Sequence, residues 1–190
     1  MIEAAAIVLA AGQSRRFGSP KQLASIAGTP LLRRAADAAF AAACDPVIVV
    51  LGANAEVLAP TLDGSGADVV LNPDWREGMA SSIRAGLARL RDTAPRCPAV
   101  FLLLADQPHV SAELLQRLAD TLQHSGAEAA ACRYAGVLGP PALFGASLYA
   151  RLESLKGDEG ARSLLRSGEL PVAVLDFPEG ALDVDSPEDA

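Results

Sequence analysis

Four short runs, Ala4–Leu9, Pro46–Leu51, Asp68–Leu71 and Pro98–Leu104, are rich in Val, Ile and Leu, with helical patterns between them. Their hydrophobicity is continuous rather than alternating, which suits strands covered on both faces, as in a parallel sheet. The first intervening helix is expected to begin at Pro30, capped by Thr29, with Leu31, Leu32, Ala35, Ala36, Ala39 and Phe40 turned inward. Met79, Ile83, Leu87 and Leu90 form a second stripe at helical spacing. A third begins at Ser111 and carries Leu114, Leu115, Leu118 and Leu122. Strand and helix in alternation predict a single-domain, Rossmann-like, doubly wound and mostly parallel α/β fold.

The length of 190 residues fits one such domain. We expect a nucleotide-binding core over about residues 1–125 and an extension of the same domain over about 126–190, where Gly136, Gly139, Pro140, Pro141 and Gly145 loosen the pattern. Hydrophobic residues make up 51% of the chain but aromatic ones only 4%, so the core must rest on Ala, Leu and Val. The net charge of −7 argues against nucleic acid held by broad electrostatics. Any anion site must therefore be local. The widely spaced Cys44, Cys97 and Cys132 make neither a zinc pattern nor a disulfide framework, and read as free thiols in a reducing compartment. Acidic Glu3 and the short apolar run after it lack the form of a signal peptide or membrane span. The expected setting is cytoplasmic, without membrane or nucleic-acid partners.

Against that acidic background, Val8–Lys21 places Arg15, Arg16 and Lys21 around Gly12 and Gly18, directly after the first strand. Ligands of open parallel sheets sit beyond the carboxyl ends of the strands, and loop amides there can cradle an anion. Both G-x-G-x-x-G and G-x-x-x-x-G-K-[ST] are absent, so two familiar phosphate loops are excluded. Asp106, in Ala105-Asp106-Gln107-Pro108 after the fourth apolar run, has the placement and chemistry of a magnesium ligand, completed by substrate phosphates. A loop or helix-cap carboxylate is the competing role.

The stretch Leu9-Ala10-Ala11-Gly12-Gln13-Ser14-Arg15-Arg16-Phe17-Gly18-Ser19-Pro20-Lys21 resembles the nucleotidyltransferase signature L-A-[AG]-G-x-[SG]-x-R-[FM]-G-x-x-K. More narrowly, the chain resembles the molybdenum cofactor cytidylyltransferases and their guanylyltransferase relatives, and the nucleotide-diphospho-sugar transferase fold is the one implied. By that resemblance Leu9, Ala10, Ala11, Gly12, Ser14 and Gly18 wrap a nucleoside triphosphate. Arg16 and Lys21 contact its phosphates, and Arg15 falls on a variable position. Asp106 lies in the family's A-D-Q-P element. Asp185, in the closing D-x-D-[ST]-P-E-D, is the candidate second ligand for Mg²⁺, a solvated acidic tail being the competing reading.

Asn72–Ile83 resembles N-x-x-W-x-x-G-x-x-x-S-[IL], which puts Gly78, Ser81 and Ser82 near base and ribose; helix capping competes for the serines. Trp75 either stacks on a ring or packs. Gly157-Asp158-Glu159-Gly160-Ala161-Arg162 resembles G-D-x-G-A-R, where Arg162 either binds the acceptor's phosphate or begins a helix, and the loop is a candidate lid. Pro140 departs from the expected G-H-P-V-L-F by replacing its histidine. The implied reaction is transfer of a nucleoside monophosphate, from CTP by preference, to a phosphorylated acceptor such as molybdenum-bearing molybdopterin. A molybdoenzyme or maturation factor is the implied protein partner. Guanylyl and sugar-phosphate transfer are the alternatives, and a non-catalytic nucleotide or cofactor carrier is the alternative of another class.

Overall fold

Successive residues of a strand point to opposite faces, and strand β1 (Ala5–Ala10) uses both. The computed structural model describes residues 2–13, 20–166 and 168–181. Ala6, Val8 and Ala10 pack into one core with helices α1 (Leu31–Ala41) and α4 (Ala112–Ser125). Ala5 and Ile7 pack into a second core with α3 (Met79–Thr93), α5 (Tyr149–Glu153) and α6 (Arg162–Arg166). The continuous apolarity of β1 thus has its cause: both faces are covered.

The remaining strands are β4 (Val47–Leu51), β5 (Asp68–Leu71), β6 (Ala99–Leu104), β7 (Ala129–Tyr134), β8 (Val137–Gly145) and β9 (Val172–Asp176). With β1 they form a seven-stranded sheet in the order β5-β4-β1-β6-β8-β7-β9. Every pairing is parallel except those of β8, which runs antiparallel to both β6 and β7. A short helix, α2 (Ala55–Leu58), precedes β5. The fold is the expected single-domain, mostly parallel α/β type, and the chain beyond residue 125 adds three strands to the same sheet.

Two local expectations fail for tertiary reasons. Thr29 does not cap α1. Thr29 and Pro30 form strand β3 (Thr29–Pro30), paired with β2 (Ser25–Ile26), and the helix begins one residue later at Leu31. Leu31 N–H bonds Ala24 O at 2.9 Å, so the hairpin sets the entry that a side-chain cap was expected to set. The run Asp68–Leu71 is not covered on both faces either; it is the edge strand β5, with Val69 and Leu71 exposed. Ser111, by contrast, caps α4 through a bond from Leu114 N–H.

The cysteines are free, Cys44 and Cys132 being buried and Cys97 half-buried. Burial pushes the Cys44 and Cys132 thiols up to about 12, which keeps them protonated and unreactive. No helix of the described residues is long and apolar enough to cross a membrane.

Candidate active site at the carboxyl edge of the sheet

The carboxyl ends of β1 and β6 lie side by side because the two strands pair in parallel, with Leu9 opposite Leu104. Residues just beyond those ends open into one cavity of about 830 Å³, lined by Leu9, Ala10, Ala11 and Gly12 from the first and Leu104, Ala105 and Asp106 from the second. Lys21 lies 85 residues before Asp106 in sequence, yet its Nζ forms an ion pair with the Asp106 carboxylate in the cavity wall. Both side chains are largely covered, at 24% and 18% exposure. A cation and a carboxylate singled out by separate motifs are thus brought together beside the adjoining strand ends.

Gln22, which the motif reading left without a role, is buried and donates from Nε2 to Gly12 O (3.3 Å) and Ala10 O (3.5 Å). It braces the strand end from which the loop departs. Gly12 itself has no left-handed φ, and a Cβ there would meet no protein atom within 4 Å. Its vacant side faces open space. Ala11 is wedged: Gly52 has room for no side chain because Ala11 Cβ and Trp75 Cβ would each lie 2.8 Å away.

Trp75 lines the cavity, with the Arg76 guanidinium 4.4 Å above its ring. Buried Asn72 donates from Nδ2 to both Ser81 Oγ (2.9 Å) and Ser82 Oγ (3.0 Å), and its Oδ1 accepts from Asp74 N–H. Ser81 gives its own proton to Gly78 O at 2.8 Å, which consumes its hydroxyl in the start of α3. Of the two serines, Ser82 is the one that lines the cavity.

Gly78 has φ 121°, and a Cβ there would collide with the Gly157 backbone and the Asp158 carboxylate. The segment after α5 is fastened to α3: Ala80 N–H bonds Gly157 O (3.1 Å) and Arg84 Nη1 bonds Leu155 O (2.7 Å). Arg84 also pairs with Glu77 and holds that carboxyl below its ordinary range. Gly78 lines the cavity, and the absence of a side chain there also admits a neighbouring protein segment. Gly78→Ala should cost at least about 2 kcal/mol, from backbone strain plus overpacking. The melting temperature should fall by roughly 4–8 °C; an unchanged value would mean that the segment is not docked there.

Arg162 begins α6 with its guanidinium 5.6 Å above the Tyr134 ring and donates to Tyr134 Oη at 2.7 Å. It does not line the cavity that holds Lys21 and Asp106. Gln107, buried beside Asp106, donates to Pro140 O (3.0 Å) and Tyr134 Oη (3.3 Å), leaving Oε1 buried and unpaired. The position where the resembled family has histidine thus serves through its backbone. Ser14, Arg15, Arg16, Gly18 and Asp185 lie outside the described residues.

Among the described residues no three His, Cys, Asp or Glu side chains converge into a metal cage. The donor set at Asp106 fits a hard cation that takes one or two carboxylates and completes its shell with phosphate oxygens and water.

A mostly parallel sheet with charged groups at its carboxyl edge places the candidate site where open α/β folds take their ligands. Residues 6–172 match the MobA-like NTP transferase domain, and the chain belongs to that family of nucleotidyltransferases. It is 31% identical to the nicotine blue oxidoreductase of Paenarthrobacter nicotinovorans, covering 96% of this chain and 92% of that one. It is 30% identical to the purine catabolism protein PucB of Bacillus subtilis (strain 168), with the same coverage of 96% and 92%. Among solved structures, Rv0371c of Mycobacterium tuberculosis H37Rv superposes with a TM-score of 0.84 at 36% identity, covering 99% of this chain and 95% of that one. The same protein in complex with manganese gives a TM-score of 0.80 at 34% identity, covering 98% and 95%. The two relatives' names point to different chemistries, so the likeness establishes the family and leaves the substrate to be argued from the site.

Proposed function

We propose that the protein transfers CMP from CTP to a phosphorylated acceptor, molybdenum-bearing molybdopterin being the preferred candidate, with release of pyrophosphate and in a cytoplasmic setting. The observation that carries this reading is the Lys21–Asp106 pair at the adjoining ends of β1 and β6, in a cavity of nucleotide size. An acceptor phosphate oxygen attacks the α-phosphorus, the bond from α-phosphorus to the bridging oxygen breaks, and pyrophosphate departs. No covalent enzyme intermediate is required, so the protein's work is positioning and charge stabilisation.

Lys21 stabilises the charge growing on the α-phosphate, Arg16 holds the departing phosphates, and Ser82 and Trp75 bound the nucleoside. Asp106, with Asp185, holds Mg²⁺, whose chemistry when bound is neutralisation of phosphate charge. The test is pyrophosphate release with each nucleoside triphosphate against a panel of phosphorylated acceptors, and mass analysis of the product. Nucleotide binding without pyrophosphate release for any acceptor would favour a carrier.

Base choice can be probed at Ala11. Its methyl lies beside Gly52 in the cavity wall, and removing it opens a methyl-sized space beside the larger purine ring. A methyl-sized change is worth only about 1–3 kcal/mol in a pocket. Ala11→Gly should therefore narrow the CTP-over-GTP ratio of kcat/KM without inverting it, as read by competing-substrate turnover. A wild-type preference for GTP, or a ratio that does not move, moves guanylyl or sugar-phosphate transfer ahead.

A further inference from the structure

Asp158 presents a solvent-accessible carboxylate to the wall of the nucleotide cavity. No hydrogen bond or ion pair engages that carboxylate among the described residues. Its backbone, by contrast, is held firmly. Gly157 O accepts from Ala80 N–H, and Leu155 O accepts from Arg84. Gly78 provides the gap into which the Asp158 Oδ1 atom fits. An acceptor group is thus fixed at the N-terminal end of α3, with no donor from the described residues engaging it.

Position in the cavity narrows what that group can serve. Lys21 and Asp106 stand at the β1 and β6 ends, whereas the start of α3 follows the loop that leaves edge strand β5 and carries Trp75. A carboxylate near a triphosphate is repelled by it, so the α3 end of the cavity suits the nucleoside. An ionised carboxylate accepts hydrogen bonds and donates none. It therefore favours a nucleoside edge that offers O–H or N–H.

We propose that Asp158 reads the hydrogen-bond donors of the bound nucleoside, either a ribose hydroxyl or the exocyclic amine of the base. This inference rests on the nucleotidyltransferase reading of the cavity. It assigns a specificity role to the aspartate of the G-D-x-G-A-R motif, in the extension beyond residue 125. A uracil ring, with a carbonyl in place of the cytosine amine, presents an acceptor to an acceptor. A 2′-deoxyribose withholds one hydroxyl.

Trp75 is the sole tryptophan and lines the same cavity, so its fluorescence reports occupancy. Wild type, Asp158→Asn and Asp158→Ala should be titrated with CTP, UTP and dCTP in the presence of MgCl₂, with calorimetry as a second readout. Wild type should bind CTP about 10- to 100-fold more tightly than one of the two analogues, the range for a hydrogen bond to a charged group. Weaker UTP binding identifies the amine as the donor; weaker dCTP binding identifies the ribose. Both variants should lose most of that discrimination while retaining wild-type affinity for Mn²⁺ alone, measured by electron paramagnetic resonance.

Discrimination unchanged in both variants overturns the proposal. So does a loss of Mn²⁺ affinity with all three nucleotides weakened equally, which would make Asp158 a metal ligand. If wild type binds none of the three nucleotides, by fluorescence or calorimetry, the nucleotidyltransferase reading fails and this inference with it.

Discussion

Asp106→Ala should abolish metal-dependent turnover while leaving the fold intact. Asp106 lies directly beyond β6, and among the described residues no cluster of carboxylates, histidines or cysteines stands ready to replace it as a metal holder. Loss of charge stabilisation of this kind costs about 10²–10³ in rate for one donor, and loss of the metal's holder should exceed that. Stability should fall modestly, because the pair with Lys21 is largely covered and the loss lies between the roughly 0–1 kcal/mol of a surface ion pair and the roughly 3–5 kcal/mol of breaking a buried one. The measurements are pyrophosphate release against Mg²⁺ concentration and thermal unfolding of the same preparation. Turnover within tenfold of wild type in a folded variant would remove Asp106 from the machinery.

Lys21→Ala should lower the chemical step by on the order of 10²–10³. Its ammonium sits in the cavity wall beside Asp106, so the variant should remain metal-dependent and bind nucleotide more weakly. Arg15→Ala should leave turnover nearly unchanged, because Arg15 occupies the variable position of the motif. Equal losses at both positions would mean that the register of the loop has been misassigned. The double variant of Lys21 and Asp106 separates two explanations of the pair. If the ion pair only braces the fold, stability losses in the single variants should be partly cancelled in the double. If each side chain meets the substrate, the double variant should be at least as inactive as the worse single one.

The half of the fold that the sequence displays most openly is the half built from long apolar runs. β1, β4 and β6 are readable because both of their faces are covered, which forbids polar residues along most of their length. β7 and β8 are less legible: their burial rests on Ala129, Ala130, Ala131 and Ala142, and β8 contains Gly139, Pro140 and Pro141. Such composition reads as a loop unless its partners are known. At the site, Lys21 and Asp106 were legible because each falls in a long motif at a strand end. Gln22, Asn72 and Gln107 were not. They are buried amides whose partners follow no helical or strand period, and Gln107 reaches Tyr134 and Pro140 across 27 and 33 residues. A single buried polar residue beside a motif is the one signal that points to them, since such groups must find partners. Gly78 illustrates the converse. Its motif was legible, but the sequence holds no sign that the space beside it belongs to Gly157 and Asp158.

The placement of β1 between β4 and β6 also dictates when the site comes into being. Parallel neighbours must be joined by long crossovers, and β1 has only parallel neighbours. The sheet's one local ladder is the β7–β8 hairpin, far downstream. A chain emerging from the ribosome therefore carries Lys21 into the open long before Asp106 exists, since 85 residues separate them. At ordinary rates of synthesis that interval is on the order of ten seconds. Throughout it, β1 is an apolar strand lacking at least one of its two neighbours, and the edge beside Lys21 has no second wall. The cavity between the β1 and β6 ends is thus completed only when β6 docks, and non-local pairing of that kind is intrinsically slow to form.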